Sequence, residues 1–93
     1  MRYRHSSGIH GQTVGEERML FDDAADAVHV LNGTAAFIWD CLRKPASAHG
    51  IEVRLHEVYD LHDVPDVSDM IARTLADFLD RGIIEPVPDE GHP

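Results

Sequence analysis

The spacing of apolar residues changes period once along this chain, at Asn32, and the change separates a strand-forming front from a helix-forming remainder. Before Asn32 the apolar residues come in short runs. Met19-Leu20-Phe21 stops at Asp22-Asp23, and Ala27-Val28-His29-Val30-Leu31 is β-branched in its middle. β-Branched side chains are stiff at χ1 and sit well on a pleated surface. The two runs, parted by Asp22 to Asp26, therefore predict an antiparallel hairpin with a longer than minimal loop. No glycine marks the turn, and its type stays open. Residues 1–17 are polar and rich in Gly, Ser and His. Tyr3 suits a short first strand there, and the rest of that segment reads as mobile.

From Asn32 onward the spacing is helical. Asn is a good N-cap because its side-chain oxygen accepts from the free amides of a first turn. Behind it Ala35, Ile38, Trp39 and Leu42 recur at three- and four-residue intervals, a first helix that Pro45 and the stretch to Gly50 bring to an end. A second helix carries Ile51, Leu55 and Val58 on one face with Tyr59 beside them, and runs out near Asp60. Pro65 introduces the most regular helix, Asp66 to Arg81. There Ile71, Leu75, Phe78 and Leu79 make the buried stripe, while Asp69, Arg73, Asp77 and Asp80 stay wet. Gly82 suits a position of positive φ just past a helix. Ile83-Ile84 turns back to the core, and residues 86–93 read as a disordered tail. Two or three strands with three helices close one core as a small sheet beside a helical bundle. The expectation is an α+β, winged-helix-like domain over residues 18–85, with a two- or three-stranded antiparallel sheet followed by three helices.

Composition narrows the chemistry. Ninety-three residues make one domain, and a hydrophobic share of 43% is too high for a disordered chain. The lone Cys41 forms no internal disulfide, which suits a reducing cytoplasm. No apolar run approaches the roughly 20 residues that span a bilayer, and Met1-Arg2-Tyr3-Arg4-His5 lacks the apolar centre of a signal peptide. No membrane association is expected. The net charge of -9 repels polyanions on average, nucleic acid included. It does not repel a neutral or cationic peptide, or a basic face on an enzyme.

Candidate reactive residues are few. The seven histidines show no H-x-x-x-H spacing and there is no C-x-x-C, so no metal site is expected. Cys41 lies near the end of the first helix, away from any positive helix N-terminus, and reads as buried and inert. Trp39 falls on the apolar stripe and reads as core. Asp22, Asp23 and Asp26 match no calcium loop. With no nucleophile elbow and no phosphate-binding glycine loop, neither a catalytic residue nor a cofactor is expected.

What remains is a strand edge beside a helix. The unpaired N–H and C=O groups of such an edge accept an extended peptide by β-augmentation, and here the edge is Val28, His29, Val30 and Leu31. Met70, Thr74, Asp77 and Arg81 recur at helical spacing along one wall, with Arg73 next to them. Met70 offers an adaptable apolar contact. Asp77 and Arg81, four apart, read a ligand charge or pair with each other. A protonatable His29 would make capture pH-sensitive, the plainer reading being a satisfied structural histidine. Two alternatives stand beside peptide capture. One is a winged-helix DNA-binding regulator, which Asp66, Asp69, Asp77 and Asp80 against two arginines equip poorly. The other is self-pairing, with the edge covered by a second copy in a homodimer, or sealed by residues 1–17.

Three segments resemble one family. Leu31-Asn32-Gly33-Thr34-Ala35-Ala36-Phe37-Ile38-Trp39 resembles the "LN-x-T-A-A-x-I-W" junction between last strand and first helix in PqqD-like proteins. Tyr59-Asp60 resembles the family's "YD", and Phe78-Leu79-Asp80-Arg81-Gly82-Ile83-Ile84-Glu85 its "L-x-x-x-G-L-[LI]" ending. The match runs from about Arg18 to Glu85. These proteins, also called RiPP recognition elements, bind the leader of a ribosomally made precursor peptide and present it to a modifying enzyme. The resemblance implies a leader peptide lying as an added strand on the sheet's last strand, beside the third helix. It implies as partner a radical SAM protein or a peptidase. The chain departs from the family pattern at Met70, often acidic there, at Thr74, often Phe or Leu, and in the loop Arg43 to Gly50, which lacks a "D-G-x-x-T" link.

Overall fold

The computed structural model describes residues 1–88, so the tail expectation at residues 89–93 lies outside the described residues. In chain order the elements are β1 (Arg2–His5), β2 (Ile9–Val14), β3 (Glu17–Asp22), β4 (Ala27–Leu31), α1 (Gly33–Cys41), β5 (Ala46–Ser47), α2 (Ala48–Val58), α3 (Val67–Asp80) and β6 (Ile84–Val87). The α+β class and the three helices are as expected. The predicted hairpin is β3 and β4, in antiparallel register with Leu20 opposite His29 and Met19 opposite Val30. Asp26 closes its loop at a positive φ of 51°, a conformation that Asp tolerates better than most residues.

The front of the chain differs from the sequence reading. Residues 1–17 hold two strands instead of a mostly mobile segment with room for one. β2 pairs with β3 to complete a meander in the order β2-β3-β4, while β1 leaves that sheet and forms a second one, in the order β5-β1-β6. Pro86 and Val87, assigned to the tail, lie in β6 opposite Tyr3 and Arg2. Proline is tolerated there because β6 is an edge strand. Arg4 and Glu85 fasten the two ends of the chain with an exposed ion pair at 2.8 Å.

Local chemistry fixes the helix boundaries. Asn32 caps α1, its Oδ1 accepting from the Ala35 amide at 3.0 Å. Ser47 does the same for α2 through Gly50, and Asp66 for α3 through Asp69, both at 3.1 Å. Each cap contributes about 1 kcal/mol. The second helix thus begins at Ala48, inside the stretch expected to be loop. α3 ends in a Schellman motif, with Gly82 at φ 73°. The Gly82 amide donates to the Leu79 carbonyl and the Ile83 amide to the Phe78 carbonyl, each at 3.1 Å. That reversal delivers Ile83 and Ile84 to the core and aims β6 at β1.

The core lies between the meander, the three helices and Ile83-Ile84. Leu20, Ile38, Leu42, Ile51, Ile71 and Phe78 are fully enclosed, with Trp39 set edge-on to Phe78 at 6.3 Å. Burying each aliphatic or aromatic side chain of this size contributes about 1.5–3 kcal/mol. Two residues placed on buried stripes are instead exposed, Val58 at 56% and Leu79 at 38%. Both stand at or next to the last residue of their helices, where the stripe has run past the elements it packs on. Val67, four residues before Ile71, is buried in their stead.

Candidate functional site

β4 pairs with β3 along one side and is an edge strand of its sheet. The N-terminal β2 lies on the far side of β3, so residues 1–17 do not pair with β4. Alternation along β4 follows the pleat. Val28 and Val30 stand on the outer face, 56% and 54% exposed, while Leu31 is buried and His29 half-buried toward the core.

An open groove of 280 Å³ runs between the end of β4 and α3. Val30, Leu31, Arg73, Thr74, Asp77 and Arg81 line it, six of the nine residues read as peptide-binding. The other three, Val28, His29 and Met70, lie outside that lining. Asn32, Ala35 and Phe78 complete it and were not anticipated. Helical spacing carries the signal for Phe78, four residues after Thr74, whereas Asn32 and Ala35 enter because α1 starts at the end of β4.

The polar groups of the α3 wall have internal partners. Arg73 meets Asp69 at 2.9 Å and Arg81 meets Asp77 at 3.0 Å, both one helical turn apart. The Thr74 hydroxyl donates to the Met70 carbonyl at 2.9 Å. Exposed pairs of this type contribute about 0–1 kcal/mol each, so a ligand charge displaces them at little cost. Asp66, Asp69, Asp77 and Asp80 outnumber Arg73 and Arg81 along α3 and its caps, a poor arrangement for gripping phosphates. In the strand wall, the His29 Nε2 is buried without a hydrogen-bond partner among the described residues. Leaving such an atom unmatched costs about 1–3 kcal/mol.

The remaining candidate groups serve structure. His5 stacks flat on Trp39, ring centroids 3.5 Å apart, and its Nε2–H donates to the Trp39 carbonyl at 2.7 Å. Burial lowers its pKa below the ordinary 6.5, outweighing the pull of that carbonyl. Cys41 is half-buried, and burial raises its pKa against the opposing influence of Arg54. A thiol so held stays protonated and is a weak nucleophile. Among the described residues no three His, Cys, Asp or Glu side chains gather as a metal site would need, and no helix is long and apolar enough to cross a membrane.

No curated protein matches the chain. Its fold is similar to that of a solved structure described as TbiB1 in complex with the TbiA(beta) leader peptide, with a TM-score of 0.79 and 17% identity over 92% of this chain and 99% of that one. At that identity the likeness is one of fold. The family model for Coenzyme PQQ synthesis protein D (PqqD) matches residues 17–84, a span that holds β3, β4, all three helices and the groove between them. The chain belongs to the PqqD family.

Proposed function

We propose that this chain is a non-catalytic peptide-binding protein that captures the leader of a ribosomally made precursor peptide and presents it to a modifying enzyme, a radical SAM protein or similar. The observation that carries this reading is the edge of β4 alongside α3, unpaired among the described residues, with a groove between them. Support comes also from membership in the PqqD family and from the fold shared with a protein solved together with a leader peptide.

The physics of the edge sets how such capture works. A strand side without a neighbour presents alternating N–H and C=O groups, and an extended segment of about five residues, about 17 Å long, satisfies them. Each new backbone hydrogen bond contributes about 0.5–1.5 kcal/mol net. A micromolar complex needs about 8 kcal/mol, so the backbone alone does not reach it. The balance comes from apolar contact with exposed Val30 and with the groove floor at Leu31 and Phe78. Charge selection falls to Arg73, Asp77 and Arg81.

Leader peptides methylated at successive backbone nitrogens test this directly by fluorescence anisotropy. Methylation at alternate positions, those whose N–H faces β4, is expected to weaken binding by about tenfold or more, and at the intervening positions to change it little. Uniform tolerance of N-methylation would rule out strand addition.

A further inference from the structure

The eight Lys and Arg residues of this acidic chain are unevenly placed. Four of them, Arg2, Arg43, Lys44 and Arg54, line one open cavity of 780 Å³ formed by β1, the α1–β5 turn, β5 and the start of α2. The only carboxylate in that lining is Asp40, and Arg18 already holds it from outside the cavity. Four cations against one carboxylate make a local charge of +3 in a protein of net charge -9.

These cations are weakly committed to partners in their own chain. Arg43 approaches Asp40, and Arg54 approaches Glu57, only to 3.9 Å, with the two arginine side chains 79% and 65% exposed. Arg2 and Lys44 enter no ion pair among the described residues. Ser47 and Gly50, at the N-terminal end of α2, lie in the same lining, and the positive end of the helix dipole adds to the field. Pro45 and Ala46 give the cavity an apolar component.

The cavity is separate from the peptide groove. The groove takes in Asn32 and Ala35 at the start of α1, and the cavity takes in Asp40 and Cys41 at its end. No residue lines both, and along α1 their nearest lining residues, Ala35 and Asp40, stand five residues or about 7.5 Å apart.

We propose that this cavity docks an acidic segment of the modifying enzyme, a partner assignment that rests on the peptide-presenting role above, and that it does so while the leader occupies β4. Three arginines supply planar donor forks that match carboxylates in pairs, and the apolar component suits a polypeptide better than a bare anion. The peptide groove brings no net opposing charge to this field, since its lining holds one carboxylate, Asp77, against Arg73 and Arg81. A nucleic acid lacks the corresponding fit, because one concave cluster of four cations offers no track for a continuous phosphate backbone.

The test is an NMR titration of the labelled full chain with a short synthetic peptide of alternating Glu and Leu, with inorganic phosphate and with the leader peptide in parallel. The acidic peptide is expected to move amide signals from Arg43 to Gly50 and at Arg2 and Arg54, with affinity falling as salt rises. Arg43→Glu with Arg54→Glu is expected to weaken it about tenfold or more, and Arg43→Lys with Arg54→Lys to retain most of it. Shifts elsewhere, insensitivity to charge reversal, or equal shifts from phosphate alone would overturn the docking site. The leader must bind the charge-reversed variant as it binds the unaltered chain. Intact leader binding with no response to the acidic peptide defeats the docking proposal alone, whereas no leader binding to the unaltered chain defeats the role on which it rests.

Discussion

Asp77 and Arg81 face each other at 3.0 Å across one turn of α3, and both line the groove beside β4. Their pairing holds the arginine charge in reserve, and a peptide carboxylate must compete with Asp77 for it. Asp77→Asn is expected to raise affinity for a leader with an acidic residue at that register by about two- to fivefold, and Arg81→Ala to lower it by a similar factor. Isothermal titration with each variant checks this. Both positions are exposed, so the urea midpoints should stay near that of the unaltered chain.

Val30 is the apolar side chain at the groove with most surface left to bury. Val30→Asp removes about 1.5 kcal/mol of apolar contact and sets an unsolvated charge against the peptide. The expected outcome is a leader affinity reduced about tenfold or more in fluorescence anisotropy, with the sheet intact by circular dichroism.

Phe78 joins stability to the site, being fully buried against Trp39 and also part of the groove lining. Phe78→Ala is expected to cost about 3–5 kcal/mol, a large share of the roughly 5–15 kcal/mol that holds a domain together. Urea unfolding followed by the fluorescence of Trp39, the single tryptophan, measures it. Phe78→Leu should recover more than half of the loss.

His5 links stability to pH. Its pKa in the folded chain lies below 6.5 because burial disfavours the charged ring. Above about pH 6.5 the ring is neutral both folded and unfolded, and its contribution is constant. As pH falls from there toward the folded value, the unfolded chain takes up the proton first and stability drops. His5→Phe keeps a flat ring for Trp39 but cannot titrate. Melting curves between pH 7.5 and 5 are expected to show a smaller acid loss for that variant, on a lower plateau for want of the hydrogen bond to the Trp39 carbonyl.

What the sequence discloses here is mostly local. The β-branched run from Ala27 to Leu31, the Asn32 cap and the stripe from Ile71 to Phe78 each carry their own signal within a few residues, and β4, α1 and α3 formed where those signals fall. For β1 the sequence offers Tyr3 as a strand residue but not its partners, which are Ala46-Ser47 and Ile84 to Val87, far along the chain. Hydrophobic periodicity does not encode a pairing at that separation. Ser47 was hidden for a different reason. Ahead of Gly50 it resembles loop, yet its hydroxyl takes the Gly50 amide and turns the stretch into the first turn of α2. At the groove, helical spacing named Thr74, Asp77 and Arg81, while Asn32 and Ala35 enter only once α1 is seen to start at the end of β4. The cationic cavity was invisible to a charge total, since a net value of -9 says nothing of where the eight cations lie.

The most direct test is a nitrogen–proton correlation titration of the labelled protein with the leader segment of a candidate precursor peptide. Amide signals of Val28 to Leu31 and of Met70 to Arg81 are expected to move together and saturate at one peptide per chain. Saturation with those signals unmoved, and with changes confined to the β2 edge or the β5-β1-β6 sheet, would contradict capture at β4.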